Sequence, residues 1–353
     1  MLHPALRTPL CDLLEIDVPI IQAGMGFVAR GPLAAAVSAA GGLGVIGSAS
    51  LGTKGLREEI HRVRDLTDRP FGVDILFATI GRPERNEAEA RFTRDTTALI
   101  DIVFEEEVPV IASGLGNPAP IVPQAHELGM KVLALVGNTK NAVRVARSGV
   151  DVVIAQGYDG GGHTGRVGTM TLLPAVLDCV DVPVMAAGGI ADGRGLAAVL
   201  AMGGVGAWLG TRFIATHEAW GHQNYKERIL AIDDEGTIRT RCFSGKPCRV
   251  IKNDVTAAWE DHDLEQKIKP FPLQFGVISE WLGKDPYIQG RRDGHTDIGA
   301  LAAGQSSVLI RDIRPAGDVL RRIAEEASEA LERLVPSGTR AHAEARAVGE
   351  AGR

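Results

Sequence analysis

One histidine of this chain sits in a run made almost wholly of glycine: Gln156-Gly157-Tyr158-Asp159-Gly160-Gly161-Gly162-His163-Thr164-Gly165. An imidazole with an ordinary pKa of about 6.5 can take up or release a proton near neutral pH. Neighbours without side chains leave it room to approach a substrate, so His163 is the candidate acid–base residue. The same run would also serve as a plain solvated turn. The other histidines offer less. His217 and His222 are five residues apart on an expected helix, and His295 with Asp297 makes no ligand cluster, so no metal site is expected.

Two further stretches combine glycine with a hydroxyl or a guanidinium: Gly188-Gly189-Ile190-Ala191-Asp192-Gly193 and Gly210-Thr211-Arg212. Glycine lets phosphate oxygens come close to backbone N–H groups, which makes both stretches candidate phosphate loops. Arg212 suits either a phosphate or an ion pair at the rim of the fold, and both readings stay open. A nucleoside triphosphate is poorly supported because neither stretch carries a P-loop lysine. A Rossmann-bound dinucleotide is poorly supported because no GxGxxG follows the first expected strand. Pyridoxal phosphate would need a lysine at a strand end, where only Lys140 comes near. Flavin mononucleotide needs no covalent lysine. Gln22, Asp74 or Gln156 could meet the polar edge of its ring, and Ala23-Gly24 or Ser113-Gly114 could lie against its face.

Positioning these residues together requires a frame. Eight short apolar or β-branched runs read as strands, at 19–23, 44–47, 71–76, 108–112, 131–136, 151–155, 183–187 and 207–210. Between them lie helical stretches near 31–40, 53–67, 86–106, 119–128, 139–148, 171–179, 193–203 and 217–231, several opened by Pro, Thr or Asn. Unbroken apolar strands suit burial on both faces, and eight βα units in about 200 residues fit a (β/α)8 TIM barrel better than a doubly wound sheet. All the candidate residues then fall at carboxyl ends of strands, on one rim. The glycine loops follow strands seven and eight, where such barrels commonly hold phosphate.

The expected organisation is a barrel over 8–232 and a smaller, mostly helical insertion or lid over 233–300. A C-terminal segment with a closing helix follows at 301–335, and a disordered tail at 336–353. The chain's 353 residues are 45% hydrophobic with 43 Gly and 5% aromatics, in the globular α/β range. A net charge of −6 lacks the basic excess that nucleic acid binding needs. Four cysteines without CxxC spacing, and a start lacking the basic-then-apolar order of a secretion signal, lead to an expectation of a reducing cytoplasm and no membrane partner. A small-molecule substrate is the expected partner, and a homodimer is compatible with everything above.

The segments PIIQAGMG at 19–26, AAAVSAAGGLGVIG at 34–47, RPFGVDI at 69–75, QGYDGGGHTG at 156–165, AAGGIADGRGLAAVLAMGG at 186–204, LGTRFIAT at 209–216 and AAGQ at 302–305 together resemble the nitronate monooxygenase family. That family is in turn similar to flavin-dependent enoyl-thioester reductases and quinone reductases. The resemblance spans about residues 8–335 and implies a TIM barrel with non-covalent FMN. By motif position it implies Ala23, Gly24 and Met25 along the flavin, and Gln156 and Gly161 at its ring or ribityl chain. Gly188, Gly189, Gly210 and Thr211 would lie at its phosphate, with His163 as the catalytic residue. Ser113 and Gln305 are further pocket candidates. The chain carries Asp74 where such relatives usually have Asn, and an ionised carboxylate there would repel an anionic reduced ring. The implied reaction is oxidation of an alkyl nitronate with O2 to a carbonyl compound and nitrite. The alternative is NAD(P)H-dependent reduction of an enoyl thioester or a quinone.

Overall fold

The computed structural model describes residues 2–81 and 83–334, so the tail expected at 336–353 lies outside the described residues. Eight strands close a parallel barrel: β1 (Ile20–Gln22), β2 (Leu43–Gly47), β3 (Phe71–Phe77), β4 (Val110–Gly116), β5 (Lys131–Val136), β6 (Val152–Gln156), β8 (Val184–Ala187) and β9 (Ala207–Leu209). Closure comes from β1, which pairs with β2 on one side and β9 on the other. Strand β7 (Gly162–His163) lies outside the barrel, in the crossover between β6 and β8.

The apolar strands divide their side chains between two cores, as the period of two requires. Val152 and Ile154 of β6 point into the barrel with Val45, Ala112, Leu133 and Met185. Val153 and Ala155 point outward to the helix layer. The bottom of the barrel is filled by the short helix Pro9–Leu14, whose Leu10, Cys11 and Leu14, with Ile16, join the interior cluster. Polar caps start several outer helices. The Asn86 side chain accepts from the Glu89 amide, and Asp192 accepts from the amides of Arg194 and Gly195.

The eight strands occur where the apolar runs lie, with ends displaced by a few residues. Strand β4 departs most, running through Ser113-Gly114-Leu115-Gly116 because Leu76 and Phe77 of β3 keep pairing with it beyond a register shift. A second sheet has the order β10-β11-β7, with β10 at Thr237–Thr240 and β11 at Cys248–Ile251. The segment 233–300 therefore carries a hairpin as well as the helices 254–258, 262–265, 274–282 and 286–291. It has its own core of Cys242, Phe243, Val250, Val255, Trp259 and Ile278. No helix among the described residues is long and apolar enough to cross a membrane.

The helix Ala316–Leu334 closes the outer layer, burying Val319, Leu320, Ile323 and Ala327. It comes so close to the helix Gly193–Ala201 that a Cβ on Gly193 would stand 2.2 Å from the Ala327 nitrogen. Gly193→Val is expected to destabilise the fold by about 1–3 kcal/mol through overpacking. Chemical denaturation read by far-ultraviolet circular dichroism checks this, and an unchanged midpoint would show that the closing helix yields freely.

Candidate active site

The carboxyl ends of the barrel strands surround a cavity of about 410 Å³. Its floor is built from loops that side chains could not occupy. A Cβ on Gly24 would stand 2.1 Å from the Asp74 Cβ, and one on Gly161 would stand 2.8 Å from the Gly304 nitrogen. Gly188 and Gly189 both have positive φ, at 90° and 76°, a conformation that L side chains rarely tolerate. Successive backbone turns of this kind form an anion-binding concavity. Thr211 stands beside them. Its Oγ1 accepts the Gly304 N–H at 2.9 Å, which leaves its own O–H to donate elsewhere.

Opposite the glycine floor, the wall comes from the 233–300 segment and the helix before β4. Phe92, Phe271, Phe275 and Tyr287 line the cavity and meet edge to face in succession, with ring centroids 5.2, 5.3 and 5.5 Å apart. Arg291 lies against Tyr287 and also reaches the Gly26 carbonyl at 2.9 Å, joining the wall to the loop after β1.

His163 stands where floor and wall meet. Its strand β7 pairs antiparallel with β11, His163 opposite Cys248 and Gly162 opposite Arg249. The imidazole packs edge-on against Phe271, and its Nε2 lies 2.8 Å from Ser244 Oγ. Ser244 Oγ also accepts the Lys246 N–H at 3.3 Å and lies 3.1 Å from the Lys246 carbonyl, so the hydroxyl ties the imidazole to the turn at Lys246. His163 opens part of its surface to the cavity, yet protein surrounds it deeply. Burial, reinforced by the nearby charges of Lys246 and Arg291, holds its pKa down at about 4. The ring is a neutral proton acceptor at pH 7.

Asp74 is buried on β3, with one carboxyl oxygen, Oδ1, unpartnered. Burial pushes its pKa well above the usual carboxylate range, only partly offset by the Gly114 amide. The carboxyl is thereby pushed toward its neutral form. A protonated carboxyl offers one donor and one acceptor, as an Asn amide does.

The ten residues proposed for cofactor binding, Ala23, Gly24, Met25, Asp74, Gln156, Gly161, Gly188, Gly189, Gly210 and Thr211, line this one cavity together with His163. Ser113 and Gln305 are not among its lining residues. Ser113 is fully buried with its hydroxyl turned to the Gly116 carbonyl, while the neighbours of Gln305, Gly304 and Ser306, do line the space. Gln22 is engaged inside the barrel, where it bonds both the amide and the carbonyl of Val45. Arg212 pairs with Asp312 at 3.1 Å and reaches the Ala215 carbonyl, the rim ion pair of its two readings. The aromatic wall, Ser244, Lys246 and Arg291 went unnoticed in the sequence. The one available signal was the stretch 237–252, with five cationic side chains and no acidic one.

The family model for nitronate monooxygenase matches residues 7–326. The chain belongs to the nitronate monooxygenase family. Among curated relatives, the (3aS,4S,5R,7aS)-5-hydroxy-7a-methyl-1-oxo-octahydro-1H-indene-4-carboxyl-CoA dehydrogenase of Rhodococcus jostii is 34% identical, over 93% of this chain and 98% of the relative. Among solved structures, FabK from Thermotoga maritima superposes with a TM-score of 0.82 at 37% identity, covering 93% of this chain and 98% of that one. A nitroalkane oxidase from Streptomyces ansochromogenes superposes with a TM-score of 0.81 at 30% identity, covering 92% and 99%. The chain is a flavin-dependent oxidoreductase of the nitronate monooxygenase family. Its cavity suits a flavin on its own geometry. The floor has a flat approach free of side chains, the paired left-handed glycines and Thr211 can take a phosphate, and the orphaned Asp74 oxygen awaits a polar partner.

The imidazole can be tested without turnover. Because the unfolded chain protonates it at about 6.5 and the folded chain only at about 4, acidification between those values favours the unfolded chain. Ring-nitrogen chemical shifts of His163 are expected to show a titration near 4. A titration near the ordinary value would mean that the ring is well solvated.

Proposed function

We propose that the cavity holds FMN on the glycine floor and that the enzyme oxidises an alkyl nitronate with O2, releasing a carbonyl compound and nitrite. When bound, FMN supplies the electron-accepting ring. The protein's own part is to bind, orient and manage charge. Backbone at Gly188, Gly189 and Gly210, with the Thr211 hydroxyl, would take the phosphate. Ala23, Gly24 and Met25 would lie along the ring, and Gln156 and Gly161 toward its ring or ribityl chain.

The observation that carries this reading is the charge pattern at His163: an uncharged imidazole with Lys246 and Arg291 close enough to depress its pKa. A positive field around a neutral acceptor favours an anionic substrate, or an anion formed as a carbon-bound proton leaves. A nitronate is such an anion, and its parent nitroalkane is such a carbon acid. His163 would hydrogen-bond the nitro oxygens through its ring, or take the acidic proton on its unprotonated ring nitrogen if the neutral nitroalkane is accepted.

A second reading is favoured by the aromatic wall. Four aromatic side chains offer more apolar surface than a small nitronate covers, and they suit an acyl thioester, in keeping with the CoA-ester dehydrogenase name of the Rhodococcus relative. In that case bound FMN would supply hydride chemistry for NAD(P)H or the thioester, and the charges beside His163 would suit an enolate as the anion.

Mixing the FMN-loaded protein anaerobically with propyl nitronate, NADH or NADPH distinguishes these readings. Nitronate is expected to bleach the flavin absorbance, whereas bleaching by a nicotinamide alone would favour the second reading. His163→Ala is expected to retain yellow FMN while turnover falls by roughly 10²–10⁴-fold. Undiminished turnover in that variant would remove His163 from the mechanism.

A further inference from the structure

Asp74 is the one acidic side chain on the floor of the cavity, and its surroundings restrict what it can meet. Gly24 and Gly114 sandwich it. A Cβ on Gly114 would stand 2.5 Å from both carboxyl oxygens, and one on Gly24 would stand 2.8 Å from Oδ2. On its remaining strand neighbour, β2, Gly47 lies opposite in register, and Ser48 Oγ donates to the Asp74 backbone carbonyl at 2.6 Å rather than to the carboxyl. Oδ1 is left without a partner while the residue is only 7% exposed. A buried acceptor without a donor costs free energy unless a ligand supplies the missing bond or the group carries its own proton.

No compensating charge is at hand. The loop after β1 (Ala23–Gly26), the end of β2 (Gly47-Ser48) and the end of β4 (Ser113–Gly116) contain no ionisable side chain. Across the cavity stand His163, Tyr225, Cys248, Asp285, Tyr287 and Arg291. None of them exerts a charge effect on this carboxyl; only its burial and the Gly114 amide do.

We propose that Asp74 meets the flavin as a neutral carboxylic acid, donating its O–H to an acceptor atom of the ligand, so that flavin binding is coupled to retention of this proton. The inference rests on the reading of the cavity as an FMN site and adds a ligand-directed role for one protonation state of one residue. Its sign follows from linkage. If the loaded site holds the proton more tightly than the empty one, affinity is full below the carboxyl's titration point in the empty site. It then falls as pH rises from there to the higher point in the loaded site.

The test is flavin rebinding to FMN-stripped protein by calorimetry, across pH and in two buffers of different ionisation enthalpy. Riboflavin runs in parallel, because its missing phosphate removes the cofactor's own titration. Wild-type affinity for both ligands is expected to fall by up to about tenfold per pH unit through the transition, with proton uptake on binding. Asp74→Asn keeps a donor and an acceptor without titrating. It should bind with a flat pH profile and no riboflavin-linked proton uptake, and overtake the wild type at high pH. An infrared difference spectrum of FMN-loaded wild type against Asp74→Asn should show a protonated carboxyl band, whatever the variant's affinity. Matching pH profiles for the two proteins and no such band would overturn the role of Asp74 and leave the flavin site intact. Failure of the wild type to take up flavin at any pH would remove the site and this proposal together.

Discussion

The antiparallel pairing of Gly162-His163 with Cys248-Arg249 is the contact on which the site depends. A barrel loop on its own would leave His163 on a mobile run of glycines. Held against β11, the same glycines become a strand edge, and the imidazole gains both neighbours that define its chemistry, Phe271 at its edge and Ser244 at Nε2. All three partners lie in the segment between the barrel and the closing helix. That segment therefore completes the acid–base residue as well as walling the cavity. The Arg291 bond to Gly26 ties it to the first barrel loop as well, so wall and floor are braced at two points.

Burial acts on two ionisable groups in the cavity in opposite directions, lowering the titration of the imidazole and raising that of the carboxyl. The positive charges nearest the imidazole are Lys246 and Arg291, while Asp285 also lines the space. Such an arrangement accommodates an anion without requiring a formally charged residue to change state at neutral pH.

The barrel was legible in the sequence because its strands, covered on both faces, read as unbroken Val, Ile, Leu and Ala, and because turns between them demand glycine. The glycine loops identified the floor for the same reason, since backbone at Gly161 and Gly188, and the Asp74 side chain at Gly24, leave no room for any other residue. The wall was not legible. Phe92, Phe271 and Tyr287 come from distant parts of the chain, and their approach depends on tertiary packing that no local period encodes. Strand β7 was missed because two residues within a glycine run carry no β signal; their partner strand supplies it. Gln22, polar and at a strand end, looked like a ligand contact, yet the barrel consumes it through Val45. Residue type alone did not show how little water reaches Asp74.

The helix Pro9–Leu14 plugs the base of the barrel with Leu10, Cys11 and Leu14. Traffic through the interior is thereby blocked, and the cavity has its approach from the strand carboxyl ends alone. Whatever delivers electrons and whatever removes them must use one doorway.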